Sequence, residues 1–165
     1  MTIKELYEKY GDVELTKEQE KQIKEYLKIK ENKKWKPNVQ DKYYYVDDAG
    51  NINYSVYADY NLDNCRVLTN NCFKTKEETE FRLEQIKVYN ELKNFADENN
   101  KEICWEDNSN KYHIYYDYND NILKVYSNRN FKYIGPIYFS SPELAKQAID
   151  KVGADRVKKY LLGVE

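Results

Sequence analysis

Asn71-Cys72-Phe73-Lys74-Thr75-Lys76-Glu77-Glu78 decides how this chain is read, because its pattern returns at Tyr138-Phe139-Ser140-Ser141-Pro142-Glu143. In both stretches a Phe closes an aromatic, strand-like run, and two residues later a hydroxyl residue stands where a helix would begin. Thr75 with Glu78 spells a capping box, the hydroxyl accepting from one end amide while the carboxylate reaches back to another. Ser141 reaches the same end with Pro142 at the first helical position and Glu143 in the first turn. The chain therefore reads as two related strand-then-helix units.

Upstream of each junction the likeness continues. Trp35 precedes Lys42-Tyr43-Tyr44-Tyr45, and Trp105 precedes Lys111-Tyr112-His113-Ile114-Tyr115. Each run meets a turn rich in residues that tolerate positive φ, Asp47-Asp48-Ala49-Gly50-Asn51 and Asp117-Tyr118-Asn119-Asp120-Asn121. Ile52-Asn53-Tyr54-Ser55-Val56-Tyr57 and Ile122-Leu123-Lys124-Val125-Tyr126 then alternate as half-buried strands. A third strand is expected at Cys65-Arg66-Val67-Leu68 in the first unit and at Phe131-Lys132-Tyr133-Ile134 in the second. The period of about 70 residues, present twice, is too long for a solenoid and fits duplication.

Downstream of the first junction, a helix over 76–96 puts Phe81, Val88, Tyr89, Leu92, Phe95 and Ala96 on one face. Leu144, Ala145, Ala148, Ile149 and Val152 do the same after the second junction, until Gly153 breaks the helix and a short one follows over 154–162. Ahead of both units, residues 2–10 and a stretch after Thr16 carry capping signals and thin apolar stripes. The expectation is an α+β fold: two antiparallel three-strand-plus-helix repeats preceded by an N-terminal helical segment. The domain bounds are 1–34 for the helical arm, 35–103 for the first unit and 104–165 for the second.

Composition limits the function. Eighteen tyrosines make up much of the 41% hydrophobic content, and the mean hydropathy of -1.00 describes a polar surface. A formal charge of -2 offers no basic footprint for a nucleic-acid backbone. One acidic segment, 96–121, holds Asp97, Glu98, Glu102, Glu106, Asp107, Asp117 and Asp120 against Lys101 and Lys111. Three cysteines without a CxxC pair, an N-terminus without an apolar core and the lack of a membrane-length apolar run point to a soluble, cytoplasmic protein with free thiols.

No enzymatic constellation emerges. His113 is the only histidine; Asp117, four residues along the strand, lies roughly 13 Å away at about 3.3 Å per residue. His113 reads as a surface-face ring among tyrosines. Cys72 suits a small buried apolar residue, and the spacings of Cys65, Cys72, Cys104 and His113 match no zinc pattern. The Asp117 turn resembles a calcium loop but has Ile122 where glycine is needed and Asn128 where the closing glutamate stands. No cofactor or metal is expected.

What remains is an aromatic and acidic surface. If Ile52, Tyr54 and Val56 face the helices, Asn53, Ser55 and Tyr57 face outward. Tyr115 and Tyr118 extend that face in the second unit, beside Asp117, Asp120, Glu106 and Asp107. Tyr, Asn, Asp and Ser are the composition of adaptable protein-binding surfaces. The alternative is that the N-terminal helices cover this face and the rings are core. Base stacking on the sheet aromatics, or a structural role in a particle, are the competing functions.

The run Trp35-Lys36-Pro37, then Tyr43-Tyr44-Tyr45-Val46-Asp47 with Gly50, then 71–80, together with the ending Tyr160-Leu161-Leu162-Gly163-Val164, resembles a group of small proteins carried by prophages and mobile elements of Gram-positive bacteria. The resemblance implies, by analogy with small acidic anti-defence proteins, a non-enzymatic inhibitor of a host antiviral complex. Its partner would be a host protein or ribonucleoprotein such as Cas9 with guide RNA, blocked at a nucleic-acid channel or mobile interface.

Overall fold

A computed structural model describes Thr16 and residues 35–164. The N-terminal helices expected over 2–10 and after Thr16 lie outside the described residues. The chain from Lys36 onward forms one unit and carries every element below.

Each repeat opens as a hairpin. β1 (Lys42–Val46) pairs antiparallel with β2 (Ile52–Val56), Tyr44 opposite Tyr54. β3 (Lys111–Asp117) pairs in the same sense with β4 (Ile122–Asn128), His113 opposite Tyr126. Aspartates close both turns: Asp47 Oδ1 accepts from the amides of Ala49 and Asn51 at 3.0 and 2.8 Å, and Asp117 Oδ1 from that of Asn119 at 2.9 Å. These are the local side-chain bonds that make Asp a turn residue.

The third segment of each repeat then lies against the first strand, opposite the hairpin partner. In the second repeat it is β5 (Tyr138–Phe139), with Phe139 opposite Tyr112. In the first it shrinks to Phe73, which exchanges two backbone bonds of 2.9 Å with Tyr44. Two residues later both chains enter a helix as the junction motif predicts. Thr75 Oγ1 accepts from Glu78 N at 3.2 Å while the Glu78 carboxylate accepts from Thr75 N at 3.3 Å, opening α2 (Lys76–Asn99). Ser141 Oγ accepts from Leu144 N at 3.2 Å, opening α3 (Pro142–Val152). Gly153, at φ +98°, turns the chain into α4 (Ala154–Val157) and a π-helical turn over Lys158–Leu162.

Two third strands fall elsewhere than expected. Residues 65–68 belong to a helix, α1 (Asn61–Leu68), and not to a strand. Phe131-Lys132-Tyr133-Ile134 lies in an irregular strap between β4 and β5. The α+β class stands, with two small antiparallel sheets.

The main core joins the helix of the first repeat to the second repeat. Val88, Leu92, Phe95 and Ala96 of α2 meet Ala145, Ala148 and Val152 of α3, Val157 of α4, and Phe139. The alanines let the two helix backbones approach, and Tyr112, Ile114, Leu123 and Val125 close the core from the inner face of the second sheet. Phe81 and Tyr89, expected on the buried stripe, are exposed; Thr79 is buried in their stead. At the rim Arg156 forks onto Glu91 at 2.7 and 2.9 Å and reaches Glu84 at 3.4 Å, tying the end of the chain to α2.

Candidate docking surface

The two sheets treat their tyrosines differently, and α1 is the cause. It covers the face of the first hairpin that carries Tyr43 and Tyr57. Tyr43, fully buried, donates to Asp63 Oδ1 at 2.7 Å and accepts from Arg66 Nη1 at 2.7 Å, while the Arg66 guanidinium lies 3.4 Å from the ring centroid of Tyr45. Burial works to raise the Asp63 pKa, yet the bonds from Tyr43 and from the amides of Ala58 and Tyr60 outweigh it and hold it below the usual carboxylate range.

Tyr57 is therefore not on an outer surface. It is 3% exposed, and its hydroxyl donates to Asn64 Oδ1 at 2.7 Å and contacts Asp59 Oδ1 at 3.0 Å. Burial, with the Asp59 bond, pushes its pKa up. Tyr54 and Val56, expected inside, are the exposed residues of β2. With a covering helix on the other face, the period-two alternation puts Tyr57 inside and leaves Tyr54 and Val56 outside, while Ile52 keeps its expected place against α2.

In the second repeat the expected facing holds. Tyr112 and Ile114 pack on the core, whereas His113 and Tyr115 lie on the opposite face. That outer face is built around His113. Its ring meets Tyr126 at 5.4 Å, Tyr138 at 5.5 Å and Tyr133 at 5.6 Å between centroids, each T-shaped. Trp105 stands edge-on to Tyr138 at 4.8 Å. His113 is only 8% exposed, because the strap lays Tyr133 over it, so it is a caged ring and not a surface one. Burial pushes its pKa down, because desolvation disfavours the charged imidazole.

The strap owes its path to three contacts. The amide of Phe131 donates to Asn128 Oδ1 at 3.1 Å, the amide of Tyr133 donates to the Tyr138 hydroxyl at 2.7 Å, and Lys132 Nζ lies 5.3 Å from the Trp105 ring centroid. Gly135 at φ +103° supplies the reversal toward β5, a conformation that L side chains rarely adopt. The strap thus leaves Phe131, 64% exposed, and Ile134, fully exposed, open to solvent before and after Tyr133 in the chain. None of these side chains was singled out from the sequence, where 131–134 reads as a strand; the signal was Gly135-Pro136, which marks a loop end.

The acidic residues are mostly engaged. Asp107 accepts from the wholly buried Lys111 ammonium at 2.7 Å and from Ser109 N and Oγ at 3.0 and 2.6 Å, and these bonds pull its pKa down to about 2. Asp117 and Asp120 share Lys124, Asp117 at 2.7 Å; that pair drives the Lys124 pKa up and the Asp117 pKa down. Glu106 is exposed, and Tyr118, 72% exposed, stacks edge-on with Tyr116 at the hairpin tip. Tyr115 is half-buried against Tyr126. Six of the seven expected surface residues thus belong to the second repeat; Tyr57 lies in the first. Among them, Asp107, Asp117 and Asp120 are paired within the fold, Asp107 with Lys111 and the other two with the single charge of Lys124.

Chemistry is sparse elsewhere. Among the described residues no group of three or more His, Cys, Asp and Glu could hold a metal ion. Cys65 and Cys104 are exposed and Cys72 is buried. No helix among the described residues is long and apolar enough to cross a membrane. Comparison with known proteins adds no relative: no family model, no curated protein and no solved structure matches the chain.

Proposed function

We propose that this protein is a phage-borne, non-enzymatic docking module that inhibits a host antiviral complex, with a Cas9-type effector and its guide RNA as the partner class the sequence resemblance implies. One observation carries the reading: the strap that lays Tyr133 over His113 also leaves Phe131 and Ile134 exposed, while Tyr126 and Tyr133 stay half-open around the same imidazole. Contiguous exposed apolar and aromatic side chains rimmed by polar groups mark interaction sites. Contact runs through the rings and the strap. Mimicry of a nucleic-acid backbone by the acidic segment is secondary, since Lys111 offsets Asp107 and Lys124 offsets one of the two charges of Asp117 and Asp120 within the fold.

A second reading, base stacking on the same rings, draws support from Lys132 above Trp105 and from Arg129 close by in the chain. Affinity capture from the bacterial host with the wild-type chain and with the double variant Phe131→Ser, Ile134→Ser separates the two. A defence complex retained by the wild type and lost by the variant supports docking. Retention of nucleic acid alone, released by salt, supports stacking.

A further inference from the structure

We infer that the strap, residues 129–137, is an acid-released cover: charging the His113 imidazole detaches it from the outer face of the second sheet and remodels the docking surface. The device is a property of the free chain; its bearing on docking rests on the function proposed above.

The geometry centres on one ring. Three tyrosines from three different segments, β4, β5 and the strap, close on His113 at 5.4 to 5.6 Å, and its Nδ1 is buried without a hydrogen-bond partner. Tyr138 is both a wall of the cage and, through its hydroxyl, the acceptor that holds the strap at Tyr133 N. The other backbone anchor of the strap is the Asn128 side-chain amide. Its orientation is fixed because Oδ1 accepts from Phe131, which leaves Nδ2 buried and unpartnered. Cage and anchors are therefore one cluster with two unmet polar atoms at its floor.

A proton on His113 adds a donor and a charge where water is excluded. The charged groups on the packed elements do not offset it. Lys111 on β3, Lys124 on β4 and Lys132 on the strap are all positive. Asp107 is bound to Lys111, and Asp117 and Asp120 to Lys124. Glu106, on the loop that carries Trp105, is exposed. Tyr126, Tyr133 and Tyr138, with Tyr115 against Tyr126, bring ring edges and hydroxyls to the imidazole and no carboxylate. Hydration of the imidazolium requires one wall to leave, and the strap is the wall that no strand holds. Burial of the neutral ring is consistent with this, since it depresses the affinity of the closed form for the proton.

Because His113 is the only histidine, its ring resonances in the full-length chain report one titration without ambiguity. The titration is run beside amide hydrogen exchange of Phe131 and Tyr133, corrected for intrinsic rates. The expected result is a His113 midpoint below 6.5 and strap opening that rises about tenfold per pH unit below 6.5 until the closed form titrates. His113→Phe removes the pH response. Should that variant fail to fold, Tyr133→Ala, which takes away one wall, returns the midpoint toward 6.5. A midpoint at or above 6.5, a strap whose protection ignores pH, or the same response in His113→Phe overturns the inference. Loss of docking with the titration intact strikes the docking reading alone.

Discussion

Asn71 does with its side chain what a strand does with its backbone: Oδ1 accepts from Val46 N at 2.8 Å and Nδ2 donates to Val46 O at 2.7 Å. Phe73 pairs with Tyr44, so the antiparallel register places Asn71 opposite Val46. The side-chain amide thereby extends a third strand that in backbone terms is one residue long. The junction of the second repeat is held from the first, by Asn100 at the end of α2, whose Nδ2 donates to Tyr138 O at 2.8 Å and whose Oδ1 accepts from Ser140 N at 2.9 Å. Asn71→Ala leaves two backbone groups of β1 unpaired and is expected to cost about 1–3 kcal/mol in urea unfolding. Asn71→Asp keeps the acceptor, loses the donor, and falls between.

The two junction phenylalanines are related in sequence but unequal in energy. Phe139 is fully buried in the shared core, whereas Phe73 is half-buried. Phe139→Ala is expected to lose about 3–5 kcal/mol, with Phe73→Ala distinctly less. Equal losses, measured by chemical denaturation, would contradict a main core assembled on α2 and α3.

The helix starts are the most local features of the fold. Thr75→Ala and Ser141→Ala are each expected to cost about 1 kcal/mol. They cap different helices and share no partner, so the double variant is expected to show the sum.

Asp107 makes a signed statement about acid. Its carboxyl, ordinarily titrating near 3.8, is pulled down to about 2 by Lys111 and Ser109. The unfolded chain therefore binds this proton more readily. The contribution is complete above about pH 4 and is lost as pH falls toward 2. Asp107→Asn, which leaves the buried Lys111 ammonium facing a neutral amide, is expected to be less stable than wild type at pH 7 and to approach it as the pH nears 2. A stability difference unchanged across that range would break the assignment.

Local signals were legible from the sequence, and non-local ones were not. Thr75, Glu78, Ser141, Pro142 and Gly153 carry their instructions within one turn of chain, and both helix starts and the helix break stand where those residues put them. The alternation of β3 likewise assigned Tyr112 and His113 to opposite faces. The segment 61–68 misleads because its helix is inside out: Asp63 is buried and Arg66 half-buried against Tyr43, while Leu62 and Leu68 are exposed. Apolar periodicity cannot identify a helix that buries its charges. Without α1 nothing in the sequence covers Tyr43 and Tyr57, and the strand alternation alone puts Tyr57 outside. The exposed strap is hidden in the sequence for a related reason. Phe131-Lys132-Tyr133-Ile134 has the composition of a strand, and its exposure follows from anchors on Asn128 and Tyr138 that only the folded chain brings to it.

The proposed inhibition works by occupancy, through the strap. Its most direct measurement is target-DNA cleavage by a Cas9–guide complex as purified protein is titrated in, wild type against Phe131→Ser, Ile134→Ser. The double variant is expected to unfold within about 0.5 kcal/mol of wild type, because both side chains are solvent-exposed. Cleavage lost at a fixed protein-to-effector ratio by the wild type, and spared by an equally stable variant, is the predicted result. Unaffected cleavage with wild type, loss at catalytic amounts, or a double variant that inhibits as well as its parent would contradict it.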